Sequence, residues 1–518
     1  MGERFTAAAR LLPDYLGQHV LLSAAALALG FLISLPLVVV ASRNARIRWP
    51  VLGFASVVQT VPSLALLALF YPLLLAVSTA WQDLFGGHGF SALGFLPSLL
   101  ALTLYSMLPI LRNGVTGLTN LDPAVIEAAR GVGMTNRQRL LRIELPLAAP
   151  VLMAGVRTAA VWVIGGATLS TPVGQTSLGN YIFSGLQVED WVSVLFGCLA
   201  AVALALIADQ LLGLIEAGIA TRRPRVAWLG LGVLVAGVGA AGIGSLAVSG
   251  QPAYVVGAKN FAEQYILAAV MTDQIRKQGA PVTARVDLGS VIAYRALASN
   301  GIDAYIDYSG TVWSTIMNRH DSVPRQQMLQ EMTTQLRKDN GVVLLGSLGF
   351  ENAYALAMRR DRAEELGIRT IADLSQHASQ LRIGGDFEFF ARSEWQALRD
   401  RYGLRFREQR QFQPTFLYKA VSSKEVDVIS AASSDGRIRA YDLVVLEDPL
   451  QVIPPYDAIV LLSPARAADP VLRRALQPLV GAIPIDTMRQ ANYMVDRDTE
   501  RVSPNQAARW LEGSLHLK

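Results

Sequence analysis

The sequence predicts an all-α membrane domain of about six transmembrane helices followed by an α/β domain of two lobes. Three observations carry this. Of the 518 residues 52% are hydrophobic and the mean hydropathy is +0.34, a membrane-protein balance in a chain long enough for several domains. Charge is divided unevenly. Residues 1–250 hold 14 arginines, no lysine and 10 acidic residues, whereas 251–518 hold the other 32 basic and 31 acidic residues. Finally, the first half carries long apolar runs, while the second alternates short strand-like and helix-like segments.

Apolar segments at 20–42, 51–77, 94–114, 147–170, 191–217 and 227–249 satisfy the requirement of about 20 residues for a spanning helix. Loop charge orients them. Arg43, Arg46 and Arg48 follow the first span; Arg112, Arg130, Arg137, Arg139 and Arg142 flank the third and fourth; Arg222, Arg223 and Arg225 precede the sixth. The loops at 78–93 and 171–190 contain no Lys or Arg. By the positive-inside rule the basic loops are cytoplasmic and both termini external. The isoelectric point near 9.3 thus reflects membrane loops and not a nucleic-acid patch. Arg4 and Arg10 are separated from the first apolar run by Asp14 and other polar residues, so no cleavable signal peptide is expected. A lone cysteine, Cys198, excludes a disulfide within the chain, and the scattered histidines show no metal-ligand spacing.

Between the third and fourth spans lies EAARGVGMTNRQRLLRIELP, 127–146. Asp122 is an N-cap, with Pro123 at the first helical position. Gly131 and Gly133 allow a turn, and Thr135 with Gln138 forms a capping box for a second short helix. Pro146 is expected to break that helix and mark the entry to the next span. The stretch resembles the EAA loop of ATP-binding-cassette importer permeases: Glu127, Ala128 and Ala129, then Gly133, Ile143, Leu145 and Pro146, all at the family spacing. The resemblance implies an ATPase-coupling helix that docks on a separate subunit, with Ala128 and Ala129 permitting close backbone approach and Gly133 the bend. The glycines of 171–187 (Gly174, Gly179, Gly185) resemble those of quaternary-amine permeases, which implies that this loop borders the translocation path. The last span, rich in Gly and Ala, suits a helix-packing face or a simple anchor.

Composition changes at 249–252. Beyond it, strand-like segments (AYVV, VDL, DAYIDY, GVVLLG, YALAMRR, LRIGG, VDVISA, LVVLED, AIVLLS) alternate with helices such as the one carrying Ile266, Leu267, Val270 and Ile275. This pattern indicates α/β sheets with parallel pairing. The half is similar to the periplasmic-type substrate-binding proteins for glycine betaine, choline and carnitine. The similarity is carried by 257–267 (GAKNFAEQYIL), 302–311, 349–358, 433–449 and 454–462, in that order. The implied organisation is a permease domain at 1–225, a last helix and linker at 226–252, and a receptor at 253–518. One lobe is 253–350 plus 457–518, the other 357–453.

A trimethylammonium head carries a diffuse charge and no donor, and it is best held by aromatic faces. The resemblance places Tyr308, Tyr354 and Tyr456 in such a cage. Several relatives have a further Tyr where this chain has Ala432, and Phe387, Phe389, Phe390 and Tyr418 are nearby replacements in sequence. A zwitterion's carboxylate needs donors: Gln264 and Thr311 match family positions, with Asn352, Ser433, Ser434 and Arg392 as additions. Asp307 and Asp435 are structural or rim carboxylates; either one inside the cleft would favour a bare cation such as choline.

The resemblance implies the membrane permease and fused external receptor of an importer for glycine betaine, choline, carnitine or similar betaines, ergothioneine and other bulkier betaines being an alternative. No GxxxxGK[ST] phosphate loop occurs, so ATP hydrolysis is assigned to a separate ATPase subunit. Importers of this kind have two membrane halves and two ATPases, so the resemblance implies a homodimer with two receptors in the cytoplasmic (inner) membrane. No cofactor, metal or catalytic residue is expected. A ligand-gated channel or solute sensor is the competing class, but it has no use for the 127–146 loop.

Overall fold

Within lipid an apolar segment has no hydrogen-bond partner but itself, and the first half folds accordingly into helices. The structure, a computed structural model, describes residues 2–85, 94–187, 190–248, 254–319, 321, 323–497 and 500–516. The composition change at 249–252 and much of the 78–93 loop lie outside the described residues. The chain divides into two compact units, Met1–Phe183 with Trp191–Gln251 and Ser184–Asp190 with Pro252–Lys518.

Among the described residues five helical segments are long and apolar enough to cross a membrane: Ala8–Arg43, Phe95–Thr119, Asn136–Val173, Trp191–Ala220 and Pro224–Ile243. The expected span at 51–77 is instead a pair of helices, Ala45–Thr60 and Ser63–Ser78, bent by 101°. Pro62 disfavours helical backbone at the residue before it, and Val61 is extended (φ −72°, ψ 127°).

Helix Pro123–Gly131 starts as the sequence predicts, with the Asp122 carboxylate accepting from the Ala124 amide at 2.9 Å. Gly133 has φ +77°, a left-handed turn that glycine enters without strain. The capping box forms: Thr135 N–H donates to Gln138 Oε1 (2.9 Å) and Gln138 N–H to Thr135 Oγ1 (3.3 Å). The expected break at Pro146 does not occur. Helix Asn136–Arg139 passes through a wide π turn, Leu140–Glu144, straight into helix Leu145–Ala167. In that turn the Leu145 N–H reaches back five residues to Leu140 O, so the helix absorbs the proline one residue later without kinking apart. The buried Glu144 ties this turn to the rest of the domain, accepting from Arg139 Nε at 2.6 Å and from Arg43 Nη2 at 3.0 Å.

The glycine-rich stretch is ordered. It forms a 3₁₀ turn, Thr168–Val173, then helix Gly179–Gln187, with Gly174 left-handed between them.

The second half contains two five-stranded sheets. The first holds β1 (Tyr254–Lys259), β2 (Val282–Leu288), β3 (Ala304–Tyr308), β4 (Val343–Glu351) and β10 (Asp457–Leu462), in the order β2-β1-β3-β10-β4. The second holds β5 (Tyr354–Arg359), β6 (Arg382–Gly385), β7 (Glu408–Gln411), β8 (Val428–Ala432) and β9 (Leu443–Val445), in the order β7-β6-β8-β5-β9. The chain leaves the first sheet after Glu351 and returns to it at Asp457. The expected parallel pairing holds only for β1 with β2 and β3, and for β6 with β7 and β8. The strands that open onto a sheet from the other lobe, β5 and β10, run antiparallel to both neighbours. β7 (EQRQ) escapes the sequence reading because a polar edge strand carries no apolar alternation. Ile266, Leu267, Val270 and Ile275 are buried together under the first sheet.

Candidate ligand-binding site

A cavity of about 610 Å³ opens where strands of the two sheets end, lined from both lobes. Strand ends dictate its contents. Tyr308 closes β3 opposite Ala458 of β10, Tyr354 opens β5 directly opposite Ala432 of β8, and Tyr456 immediately precedes β10. All three tyrosines line the cavity. The Tyr354 and Tyr456 rings stand at 86° with centroids 5.6 Å apart. Gly310 makes room for this pair: a Cβ there would come within 2.5 Å of the Tyr456 ring. Burial pushes all three phenols above their ordinary pKa, so they stay neutral.

The floor is a carboxylate that sequence reasoning missed. Glu263 is buried and accepts four hydrogen bonds: from Tyr308 OH (2.6 Å) and Asn352 Nδ2 (3.0 Å) on one oxygen, from Ser434 Oγ (2.6 Å) and Asn492 Nδ2 (2.7 Å) on the other. Burial raises its pKa, and the four donors pull the other way. Its only sequence signal is its place beside Gln264 in the FAEQ segment. Asn492 offered no signal.

Gln264 does not line the cavity. It sits behind Tyr308, donating to that hydroxyl at 3.1 Å and accepting from the Lys259 amide at 3.3 Å. Ser433 is likewise outside the lining, its hydroxyl accepting from the Ala353 amide at 2.9 Å where the chain crosses between lobes. Thr311, Asn352 and Ser434 do line it, and Asn352 Oδ1 has no partner among the described residues. Asp307 is buried away from the cavity against Lys259 Nζ (2.6 Å) and Tyr305 OH (2.6 Å). Asp435 lines the cavity but is held bidentately by Arg437, at 3.0 and 2.7 Å.

Of the aromatic replacements for the residue absent at Ala432, Tyr418 fits best. It lines the cavity, and its hydroxyl accepts from the Ala432 amide at 3.3 Å, with Arg437 over its ring at 4.1 Å. Phe387 lines the mouth; Phe389 packs behind Tyr354, and Phe390 packs against Phe389 and Trp395.

Two protein cations lie over these rings. Lys259 Nζ lies 4.7 Å from the Tyr308 centroid, and the Arg392 guanidinium 4.9 Å from that of Tyr354. Arg392 is buried, and its Nε has no partner among the described residues. A buried guanidinium with a free donor beside aromatic faces suits a ligand that carries a carboxylate and an apolar cationic head.

In the membrane half, Glu127 and Ala128 are exposed, Ala129 is buried, Ile143 and Leu145 are half-buried, and Pro146 is exposed. Gly133 has open space around it. Val125, Val132 and Leu141, apolar and exposed on the same stretch, went unremarked in the sequence.

Residues 252–513 match the family described as the substrate binding domain of ABC-type glycine betaine transport system, and residues 26–221 the binding-protein-dependent transport system inner membrane component. The chain is 28% identical over 473 residues to an ergothioneine transport permease/ergothioneine binding protein of Helicobacter pylori (strain G27), covering 88% of this chain and 81% of that one. It is 38% identical over 200 residues to a glycine betaine/carnitine/choline transport system permease protein of Bacillus subtilis (strain 168), covering 39% of this chain and 84% of that one. A solved structure of a glycine betaine/carnitine/choline ABC transporter aligns at 25% identity and a TM-score of 0.45, over 51% of this chain and 98% of that one. The first family match alone spans half of the chain, and the second takes in the apolar helices up to residue 221 but not Pro224–Ile243; the protein therefore belongs to the glycine betaine-type ABC importer family, with the inner-membrane permease and the substrate-binding domain fused in one polypeptide.

Proposed function

We propose that the receptor at 253–518 binds a zwitterion with a quaternary ammonium head on the external face of the membrane. The permease at 1–225, anchored to the receptor through 226–252, then admits that ligand. Two chains form the membrane path, and a separate ATPase docks on 122–146, where Val125, Val132 and Leu141 present exposed apolar side chains beside the exposed Glu127 and Ala128. The observation that carries this reading is one cavity lined by Tyr308, Tyr354 and Tyr456 together with Arg392, whose Nε is unpaired among the described residues. The rings take the methylated head, each good desolvated contact being worth about 2 kcal/mol. Arg392, with Thr311 beside it, takes the carboxylate.

The size of the cavity favours a second reading within the same class. Its 610 Å³ extends past the cage to Gln411, Phe412 and Tyr418, and Ala432 keeps that side open. A betaine with a larger body, ergothioneine among them, fills this space better than glycine betaine does. Titration calorimetry of the purified full chain in detergent tests both readings, with glycine betaine, choline, carnitine and ergothioneine as ligands and glycine and histidine as unmethylated controls. The methylated zwitterions are expected to bind and the controls to fail. Equal binding of the controls, or no binding by any quaternary amine, overturns the proposal.

A further inference from the structure

Building on the zwitterion reading above, we propose that Glu388 is a specificity-determining residue: a built-in carboxylate that occupies Arg392 and sets how strongly the receptor prefers a zwitterion to a bare quaternary cation. Glu388 Oε1 accepts from Arg392 Nη2 at 2.5 Å. The same oxygen accepts from the hydroxyl of Ser290 at 3.2 Å. Glu388 lies in the first turn of the second lobe's helix Phe387–Ala391 and Arg392 caps its C-terminal end, whereas Ser290 opens helix Ser290–Ala298 of the first. Two further carboxylates face this group: Glu394, 3.7 Å from Nη1, is engaged by the Tyr456 hydroxyl, and Asp386 accepts from the Phe389 amide at 2.7 Å.

The two partners differ in freedom. The Arg392 side chain is 6% exposed and fixed over Tyr354, while that of Glu388 is 51% exposed at the cavity mouth. A glutamate half in water leaves its partner at small cost. An incoming carboxylate therefore meets Arg392 with Nε free and with Glu388 as a displaceable competitor for Nη2. A ligand without a carboxylate leaves the pair intact. For that ligand Glu388 is needed, because it neutralises a guanidinium 4.9 Å from a ring that would hold the ligand's own positive charge. Removing the negative charge should therefore move the two ligand classes in opposite directions. Loss of the bond to Ser290 weakens contact between the lobes and moves both classes together.

The test is calorimetry of the full chain in detergent, with glycine betaine and ergothioneine each compared with choline. In Glu388→Gln the ratio of choline Kd to zwitterion Kd should rise about tenfold, the size of one charge-assisted hydrogen bond. Glu388→Asp, which keeps the charge, should hold the ratio within about threefold of wild type. Ser290→Ala should shift both affinities equally and leave the ratio unchanged. A ratio in Glu388→Gln that stays within about twofold of wild type, with both ligands still bound, overturns the role of Glu388. A wild type that binds neither zwitterion overturns the site reading itself, a result distinct from an unchanged ratio.

Discussion

Replacing Glu263 with glutamine should flatten the acid limb of receptor stability. The carboxyl is buried, and its pKa is raised above the ordinary 4.5, so the folded receptor holds this proton more tightly than the unfolded chain. The stability it contributes is fully present below pH 4.5 and is lost as pH rises through the folded value. Scanning calorimetry of the ligand-free protein from acid to neutral pH should show that slope in wild type and lose it in Glu263→Gln; equal slopes would refute the assignment. At the cage, Tyr354→Ala should cost ~1–3 kcal/mol of ligand binding, roughly 5- to 150-fold in Kd by titration. Tyr308→Phe should cost more than Tyr354→Phe, because the Tyr308 hydroxyl holds Glu263. The tyrosines were legible in the sequence because each sits in a short local pattern at a strand end. Glu263 was not, because its donors come from as far as 229 residues away and only folding assembles them. That Gln264 stands behind Tyr308 and outside the cavity lining was not legible for a related reason: a family position fixes a residue's neighbourhood, but not which way its amide points.

In the function proposed above, transport depends on the segment from Asp122 to Ala167. Gly133→Val should abolish uptake while ligand binding stays normal, because a β-branched residue resists the left-handed conformation that the φ of +77° demands. Aspartate, which tolerates that region better, should be the milder substitution there. Normal uptake by Gly133→Val at normal expression would remove this loop from the coupling path. Glu144 gives a second test at the same scale. It joins the π turn to the first helix through Arg43 and to its own helix through Arg139. Glu144→Arg should impair uptake through three clustered arginines, and the added Arg43→Glu should restore a part of it. A double variant no better than the single one would show that the pair does not act as a clamp. The helix start, the capping box and the glycine turn were legible because caps are local hydrogen-bond chemistry. The continuity through Pro146 was not, because a missing N–H predicts a broken helix unless one turn widens, and nothing in the sequence LLRIE of Leu140–Glu144 announces a π turn. The bend at Val61 did have a local signal, Pro62 with the polar Gln59, Thr60 and Ser63 around it, but the length of the surrounding apolar run outweighed it in the reading of a single span.

For the whole molecule, sidedness is the first thing to measure. In a Cys198→Ser background, a cysteine at Glu364 should react with an impermeant thiol reagent on intact cells, and one at Gln138 should be protected. The opposite pattern would place the receptor inside and end the importer orientation proposed above. The division into an apolar and a charge-rich half was legible from composition, since 14 basic and 10 acidic residues in 1–250 stand against 32 basic and 31 acidic in 251–518. The mixed direction of the sheets was not legible, because it depends on which strands return from the other lobe.

Joining receptor and permease in one polypeptide also changes the kinetics of delivery. A free receptor finds its permease by a bimolecular encounter, so its docking affinity must match its abundance. Covalent joining makes that encounter intramolecular, at an effective concentration that for short flexible linkers is on the order of millimolar and does not depend on expression level. Docking can therefore be weak and release fast, and the stoichiometry of receptor to membrane half is set by translation. If the chain is cut between residues 249 and 252 and the pieces are expressed separately, uptake should become dependent on receptor dose, climbing as receptor is added in excess. Uptake by the cut pieces that is already saturated at equal expression would mean that the tether supplies no such advantage.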